Sequence, residues 1–251
     1  MKVPRALDWL TARPIAHRGL HDAARGIVEN TAGAVEAALA GGYGIEVDVQ
    51  ISADCEAMVH HDAVLGRLTE GEGRLDQLTS AELKRVKFRE SKERMLSLGD
   101  LCDLVGGRGA LLPELKSRFD GDSRLAERVA TLLSGYNGPV APMSFDPLQL
   151  QVLRQKAPGL PRGIVAAKYK PHPYWDQMPP RLRYNMGSLL PAVSARPQFV
   201  AYMVDNLPAL APGIARHILC LPLIAWVVRT EAERQRAARY ADQIVFEGFR
   251  P

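Results

Sequence analysis

The stretch Gly44-Ile45-Glu46-Val47-Asp48-Val49-Gln50-Ile51 alternates apolar and polar side chains without a break. Successive side chains of a strand point to opposite faces. Glu46, Asp48 and Gln50 therefore share one face, and Ile45, Val47, Val49 and Ile51 the other. In a closed barrel the apolar set meets surrounding helices while the two carboxylates point into the mouth. Two inward carboxylates repel each other and are costly to bury unless a cation sits between them. Oxygen ligands suit Mg²⁺, Ca²⁺ or Mn²⁺ rather than zinc. The bland alternative is an edge strand whose polar face is solvated.

Outward from this strand, short apolar runs alternate with longer helical patterns. Strands are expected at residues 14–17, 44–51, 110–116, 140–145, 162–166, 199–204, 222–228 and 243–246. A further run at 57–60 follows the second strand too closely for a parallel crossover, and reads as a hairpin arm folding back. Thr79-Ser80-Ala81-Glu82 and Thr230-Glu231-Ala232-Glu233 fit the capping box. Ser97 opens another helix, with Leu98, Leu101, Leu104 and Val105 at helical spacing. The helix after Glu29-Asn30-Thr31 has a polar cap and stops at Gly41-Gly42.

Eight strands with interposed helices in 251 residues predict one α/β domain over residues 1–251, a single (β/α)8 TIM barrel. A doubly wound open sheet is the competing arrangement. The last strand lies so near Pro251 that a regular last outer helix is not expected. A helix at residues 4–12 is expected to close the bottom instead.

Composition narrows the partners. Lys and Arg number 32 against 28 Asp and Glu, and they are scattered. No dense basic block suited to nucleic acid results. Cys55, Cys102 and Cys220 are far apart, which argues against a zinc ribbon or a disulfide framework. The start lacks the apolar core of a signal peptide. Residues 218–228, interrupted by Pro222, are about half of what a bilayer span requires. A cytoplasmic protein without stable membrane insertion is expected, with a homo-oligomer left open.

Other polar residues gather at strand ends. Ala110-Leu111-Leu112-Pro113-Glu114-Leu115-Lys116 puts Glu114 and Lys116 on one face at the C-terminal end, where barrel active sites are built. His17-Arg18-Gly19 ends the first strand. Its Arg18 offers a planar fork to phosphate, and its His17 titrates near neutrality. His61-Asp62 follows the hairpin, where the carboxylate could orient the imidazole. Breaking a phosphodiester requires one proton removed and another delivered, and two histidines can divide those tasks. His21, His172 and His217 read as surface or packing residues, and His60 points away from His61. Glu29 could bind metal or bond to His17 or Arg18, while Asn30 or Thr31 caps the helix.

Together, Ala16-His17-Arg18-Gly19, Glu29-Asn30-Thr31, Glu46-x-Asp48, Asp54 with His61-Asp62, Glu114-x-Lys116, Ser144-Phe145 and Trp226 resemble the ordered signature of the glycerophosphodiester phosphodiesterase family. The resemblance implies a (β/α)8 barrel hydrolysing glycerophosphodiesters to glycerol 3-phosphate and an alcohol. It implies one divalent metal, Ca²⁺ or Mg²⁺, held by Glu46, Asp48 and Glu114. His17 and His61 become the general acid/base pair, and Arg18 and Lys116 phosphate contacts. Glu29 falls near the metal and the histidines, and Trp226 in the glycerol or alcohol pocket.

Four positions depart from the family pattern: Cys55 for the usual glycine before the second histidine, Val227 for threonine after the tryptophan, and Phe246-Glu247 for Thr-Asp. They bear on leaving-group specificity and leave the metal and histidine set whole. A related barrel acting on lysophospholipids or releasing a cyclic phosphate would use the same set, and a non-catalytic phosphodiester-binding barrel would keep its shape. Residues 168–196, with Tyr169, Tyr174, Trp175 and Tyr184, are too long for an ordinary loop, and a lid or partner-contacting segment is expected there.

Overall fold

Strand β1 (Ile15–Ala16) pairs in parallel with both β2 (Gly44–Ile51) and β9 (Gln243–Phe246), and this double pairing closes the sheet. Between them run β4 (Leu111–Leu115), β5 (Met143–Ser144), β6 (Gly163–Ala166), β7 (Phe199–Met203) and β8 (Leu223–Val228), all parallel to their neighbours. The result is an eight-stranded parallel barrel, seen in a computed structural model that describes residues 7–168, 170, 176 and 178–251. β3 (Ala57–Val59) folds back antiparallel on β2 as the hairpin arm. β5 is shorter than the expected run because Pro142 has no N–H to give a ladder; Val140 makes only an isolated bridge to Leu111.

Helices α1 (Asp8–Ala12), α2 (Ala32–Ala40), α3 (Ser80–Leu83), α4 (Leu98–Val105), α5 (Arg124–Ser134), α6 (Pro147–Lys156), α7 (Pro180–Asn185), α8 (Leu210–His217) and α9 (Glu231–Tyr240) surround the strands. Their apolar stripes face inward. On α5, Leu125, Ala126, Val129, Ala130 and Leu133 are buried, one face of a 3.6-residue period. Each buried Leu or Val contributes roughly 1.5–3 kcal/mol. A charge at Val129 would break this packing. Three helices begin with a reciprocal capping box: Thr79 with Glu82, Ser97 with Asp100, and Thr230 with Glu233.

The alternation of β2 resolves as its sequence predicts. Ile45, Val47 and Val49 lie fully buried in the main core. Two glycines admit close approaches that a side chain would block. A Cβ at Gly19, where φ is +76°, would lie 2.7 Å from the Ala34 backbone, and one at Gly163 2.1 Å from the Phe199 ring.

α1 closes the bottom of the barrel: Leu10 is buried, and the Gln243 side-chain amide donates to the Thr11 carbonyl at 2.8 Å. Residues 4–6 of that expected helix lie outside the described residues. Beyond β9 the described chain forms no further helix.

Residues 60–97 form a long excursion over a second apolar cluster, in which Met58, Leu65, Leu75, Leu83, Phe88 and Met95 are buried. The expected 168–196 lid is answered in part. Tyr169, Tyr174 and Trp175 lie outside the described residues. α7 and the 3₁₀ turns at Met186–Ser188 and Leu190–Ala195 pack on the barrel's flank. There the Arg162 guanidinium donates to the carbonyls of Ala195 and Arg196, and the Tyr202 hydroxyl to that of Gly187. No helix among the described residues is long and apolar enough to cross a membrane.

Candidate active site

The parallel register sets Asp48 directly beside Glu114, with Glu46 one layer below. Oxygens of Glu46, Asp48 and Glu114 lie within 4.8 Å of one another, and all three residues are buried. Burial and the neighbouring Asp48 and Glu114 charges raise the Glu46 carboxyl well above its ordinary value. Burial pushes Asp48 the same way, but Lys116 and Arg18 overturn it and hold Asp48 low. The Lys116 ammonium stands 2.7 Å from Asp48 Oδ1 and 2.6 Å from Glu114 Oε1.

The donor set fits a hard divalent cation. It consists of carboxylate oxygens only, and Glu46 Oε1 is buried with no hydrogen-bond partner.

Two imidazoles flank this cluster, each backed by a carboxylate. His17 Nδ1 lies 3.1 Å from Glu247 Oε2, and its Nε2 is 3.9 Å from Glu46 Oε2. His61 Nδ1 lies 2.8 Å from Asp62 Oδ1. An ionised carboxylate only accepts, so each pairing puts the proton on Nδ1 and leaves Nε2 for other work. Burial lowers the His17 pKa against the opposing Glu247 bond. His60 is buried and does not line the cavity that His61 lines, and its ring lies tilted near Phe88.

Arg18 is fixed on three sides. Its backbone N–H donates to Glu46 Oε2 at 2.9 Å, its Nη1 to Glu29 Oε1 at 2.7 Å, and its Nε stands 3.3 Å from Asp48 Oδ2. Glu29 thus meets Arg18, one of the partners its position suggested, and lies outside the three-acid cluster. The polar-cap expectation needs correction. The Thr31 hydroxyl donates to the Val28 carbonyl instead of capping α2. Asn30 grips Asp48, donating from Nδ2 to Oδ2 at 2.9 Å and accepting from the Asp48 N–H at 3.0 Å.

These groups open onto a cavity of about 510 Å³ at the C-terminal ends of the strands. His17, Arg18, His61, Glu114, Lys116 and Trp226 all line it, while Glu46 and Asp48 lie buried beneath. Phe145 meets Trp226 edge to face at 5.4 Å, giving the cavity one apolar wall. Trp226 Nε1 is buried without a hydrogen-bond partner. A larger groove of about 840 Å³ lies at the opposite end, among residues that precede β5 to β8. No carboxylate or histidine lines it among the described residues, so its size does not make it the reactive site.

Sequence reasoning treated Glu247 only as a variation at the pocket rim, whereas it holds His17. It gave no role to Arg67, whose guanidinium reaches Asp62 and Glu29. The pairings of Glu247 with His17 and of Arg67 with Glu29 join residues distant in the chain, and no local pattern signals them.

Comparison with known proteins points one way. A family model described as the glycerophosphoryl diester phosphodiesterase family matches residues 17–241. A glycerophosphodiester phosphodiesterase from Caldanaerobacter subterraneus subsp. tengcongensis is 32% identical over 60% of this chain and 65% of its own length. The chain therefore spans slightly less than two thirds of that relative. A Silicibacter pomeroyi crystal structure superposes with a TM-score of 0.74 at 24% identity, covering 93% of this chain and 89% of that one. An Oleispira antarctica phosphodiesterase, solved with its product sn-glycerol-3-phosphate, gives a TM-score of 0.71 at 19% identity, covering 93% and 91%. At such identities the two structures establish the shared barrel fold alone.

Proposed function

The chain belongs to the glycerophosphoryl diester phosphodiesterase family, and from that premise we propose that it hydrolyses glycerophosphodiesters to glycerol 3-phosphate and an alcohol. The observation that carries this reading is the convergence, on one cavity, of three buried acids and two histidines each backed by its own carboxylate. The product bound to the Oleispira antarctica phosphodiesterase supports glycerol 3-phosphate as the product here.

Glu46, Asp48 and Glu114 would hold one divalent metal, Ca²⁺ or Mg²⁺, which when bound neutralises charge on phosphoryl oxygens. The remaining work falls to the chain's own groups. One imidazole Nε2 takes the proton of the attacking water as its oxygen bonds to phosphorus. The other Nε2–H protonates the departing alkoxide as the ester P–O bond breaks. Glu247 and Asp62 hold the two Nδ1–H groups, so each ring presents Nε2 to the cavity. Arg18 and Lys116 supply fixed positive charge to the phosphate. Trp226 and Phe145 wall the alcohol side, and the unpartnered Trp226 N–H serves a substrate oxygen.

The test is release of glycerol 3-phosphate from a panel of glycerophosphodiesters, with chelation and metal add-back, for wild type, His17→Ala and Glu46→Ala. Metal-dependent release lost in both variants is the expected result. A cyclic phosphate product would replace hydrolysis with attack by a substrate hydroxyl. Turnover of lysophospholipids alone would move the substrate class, and binding without turnover would refute catalysis.

A further inference from the structure

Arg67 lies on the excursion between β3 and α3, outside the cavity and nearly half exposed. Its backbone is pinned on both sides. The Gly66 N–H donates to the Thr69 hydroxyl, the Arg89 side chain donates to the Gly66 carbonyl, and the Arg89 N–H to the Leu68 carbonyl. Leu65, just before, is buried in the second apolar cluster. The guanidinium is therefore delivered from a fixed base.

That guanidinium grips two carboxylates at once. Nε donates to Asp62 Oδ2 at 2.5 Å and Nη2 to Glu29 Oε1 at 2.7 Å. The other Asp62 oxygen holds His61 Nδ1, and the same Glu29 oxygen holds Arg18 Nη1. A single connected chain results: Arg18, Glu29, Arg67, Asp62, His61. It ties the end of β1 to the loop after β3, two segments that carry different parts of the reaction. The planar fork presents separate donors to the two acids in a fixed geometry, which a point-charge ammonium on a flexible stem does not reproduce.

We infer that Arg67 is a positioning residue that locks the Asp62–His61 pair to the Glu29–Arg18 pair, so that the proton-handling imidazole faces the phosphate Arg18 holds. This rests on the proposed phosphodiesterase reaction. Removing Arg67 leaves Arg18 tied to Glu29 and Asp48, so phosphate binding persists while Asp62 loses the partner that fixes its carboxylate plane. The effect falls on the chemical step rather than on binding. Outer partners of this kind are worth roughly 10–100-fold when removed.

The experiment compares wild type, Arg67→Ala, Arg67→Lys, Asp62→Asn and the Arg67→Ala/Asp62→Asn double variant, with thermal unfolding monitored throughout. In Arg67→Ala, kcat is expected to fall about 10–100-fold, with KM changed little. Millimolar guanidinium should restore part of the loss, and Arg67→Lys less than the parent arginine. The double variant should be no slower than the worse single one, because both cut the same path. Imidazole ¹⁵N shifts give a readout that needs no turnover: His61 should be the Nδ1–H tautomer in wild type and a tautomer mixture in Arg67→Ala.

Unchanged kcat together with an unchanged His61 tautomer would overturn the inference. So would a fully additive double variant, or a loss confined to KM. If wild type turned over no glycerophosphodiester, the proposed reaction would fail, and the tautomer comparison would still decide the role of Arg67.

Discussion

His17 and Glu247 are separated by 230 residues of chain and by 3.1 Å in space, Nδ1 to Oε2. The contact forms because barrel closure brings β9 beside β1, so the residues just past each strand face one another. The hydrogen bond from His17, aided by the charges of Arg229 and His21, holds the Glu247 carboxyl down at about 2 despite burial. Glu247 is therefore an anion throughout the neutral range. Glu247→Gln keeps the shape but can present its amide N–H₂ to Nδ1, favouring the wrong tautomer. We expect kcat to fall roughly 10–100-fold with little change in KM. Steady-state kinetics across pH 5–9 check this, and an unchanged kcat would reduce Glu247 to a structural contact.

The three-acid cluster makes a prediction about metal removal. Repulsion and burial raise the Glu46 pKa, so between its ordinary and raised values the folded protein binds more protons than the unfolded chain. Stability of the chelated protein should therefore fall as pH rises through that raised value. Glu46→Gln removes the penalty. In chelator its Tm should equal or exceed that of wild type, with the gap widening as pH rises above the ordinary carboxyl value. Added Ca²⁺ or Mg²⁺ should raise the wild-type Tm and leave the variant's unmoved. A metal-induced rise of equal size in both proteins would exclude Glu46 as a ligand.

What could be read from the sequence follows the range of the forces involved. The alternation across residues 44–51 is local, and it announced both the outward core of Ile45, Val47 and Val49 and the inward acids. Capping boxes at Thr79 and Thr230 are likewise local, since cap and partner are three residues apart, and Ser97 is legible as a helix start. Local rules favour Asn30 as a cap, while the fold pairs it with buried Asp48 instead. Glu247 and Arg67 depend on contacts made only after the barrel closes or the 60–97 excursion settles. Their identities carry no periodic signal. The resemblance to the family suggested roles for the acids and histidines, and the structure shows which groups contact them.

His60 offers a stability test away from the reacting groups. Burial lowers its pKa to about 4, against opposing attraction from Asp62. As pH drops below the unfolded value near 6.5, the unfolded chain takes up a proton that the folded ring refuses. The folded state should lose stability progressively from pH 6.5 to 4, by about 3 kcal/mol in total. Carboxylates held low, such as Asp62 and Glu247, lose their contributions only at lower pH. His60→Gln should flatten that stretch of the curve. Urea unfolding at pH 7, 6, 5 and 4 measures the difference between the two proteins, and parallel curves would defeat the assignment.

The last prediction concerns the apolar wall. Trp226 presents a ring that packs edge to face on Phe145 and an indole N–H that is buried without a partner. A buried donor left unmade costs about 1–3 kcal/mol, and a ligand oxygen that satisfies it recovers that cost on binding. Trp226→Phe keeps most of the apolar surface and deletes the donor, so it separates the two contributions. Because the unsatisfied N–H also disappears from the free enzyme, stability should hold or rise. KM for a glycerophosphodiester should increase about fivefold, the scale of one net hydrogen bond. Trp226→Ala removes the wall as well and should raise KM further while lowering Tm. If Trp226→Phe left KM unchanged for every headgroup tried, the N–H would have no part in substrate binding and the ring would serve packing alone.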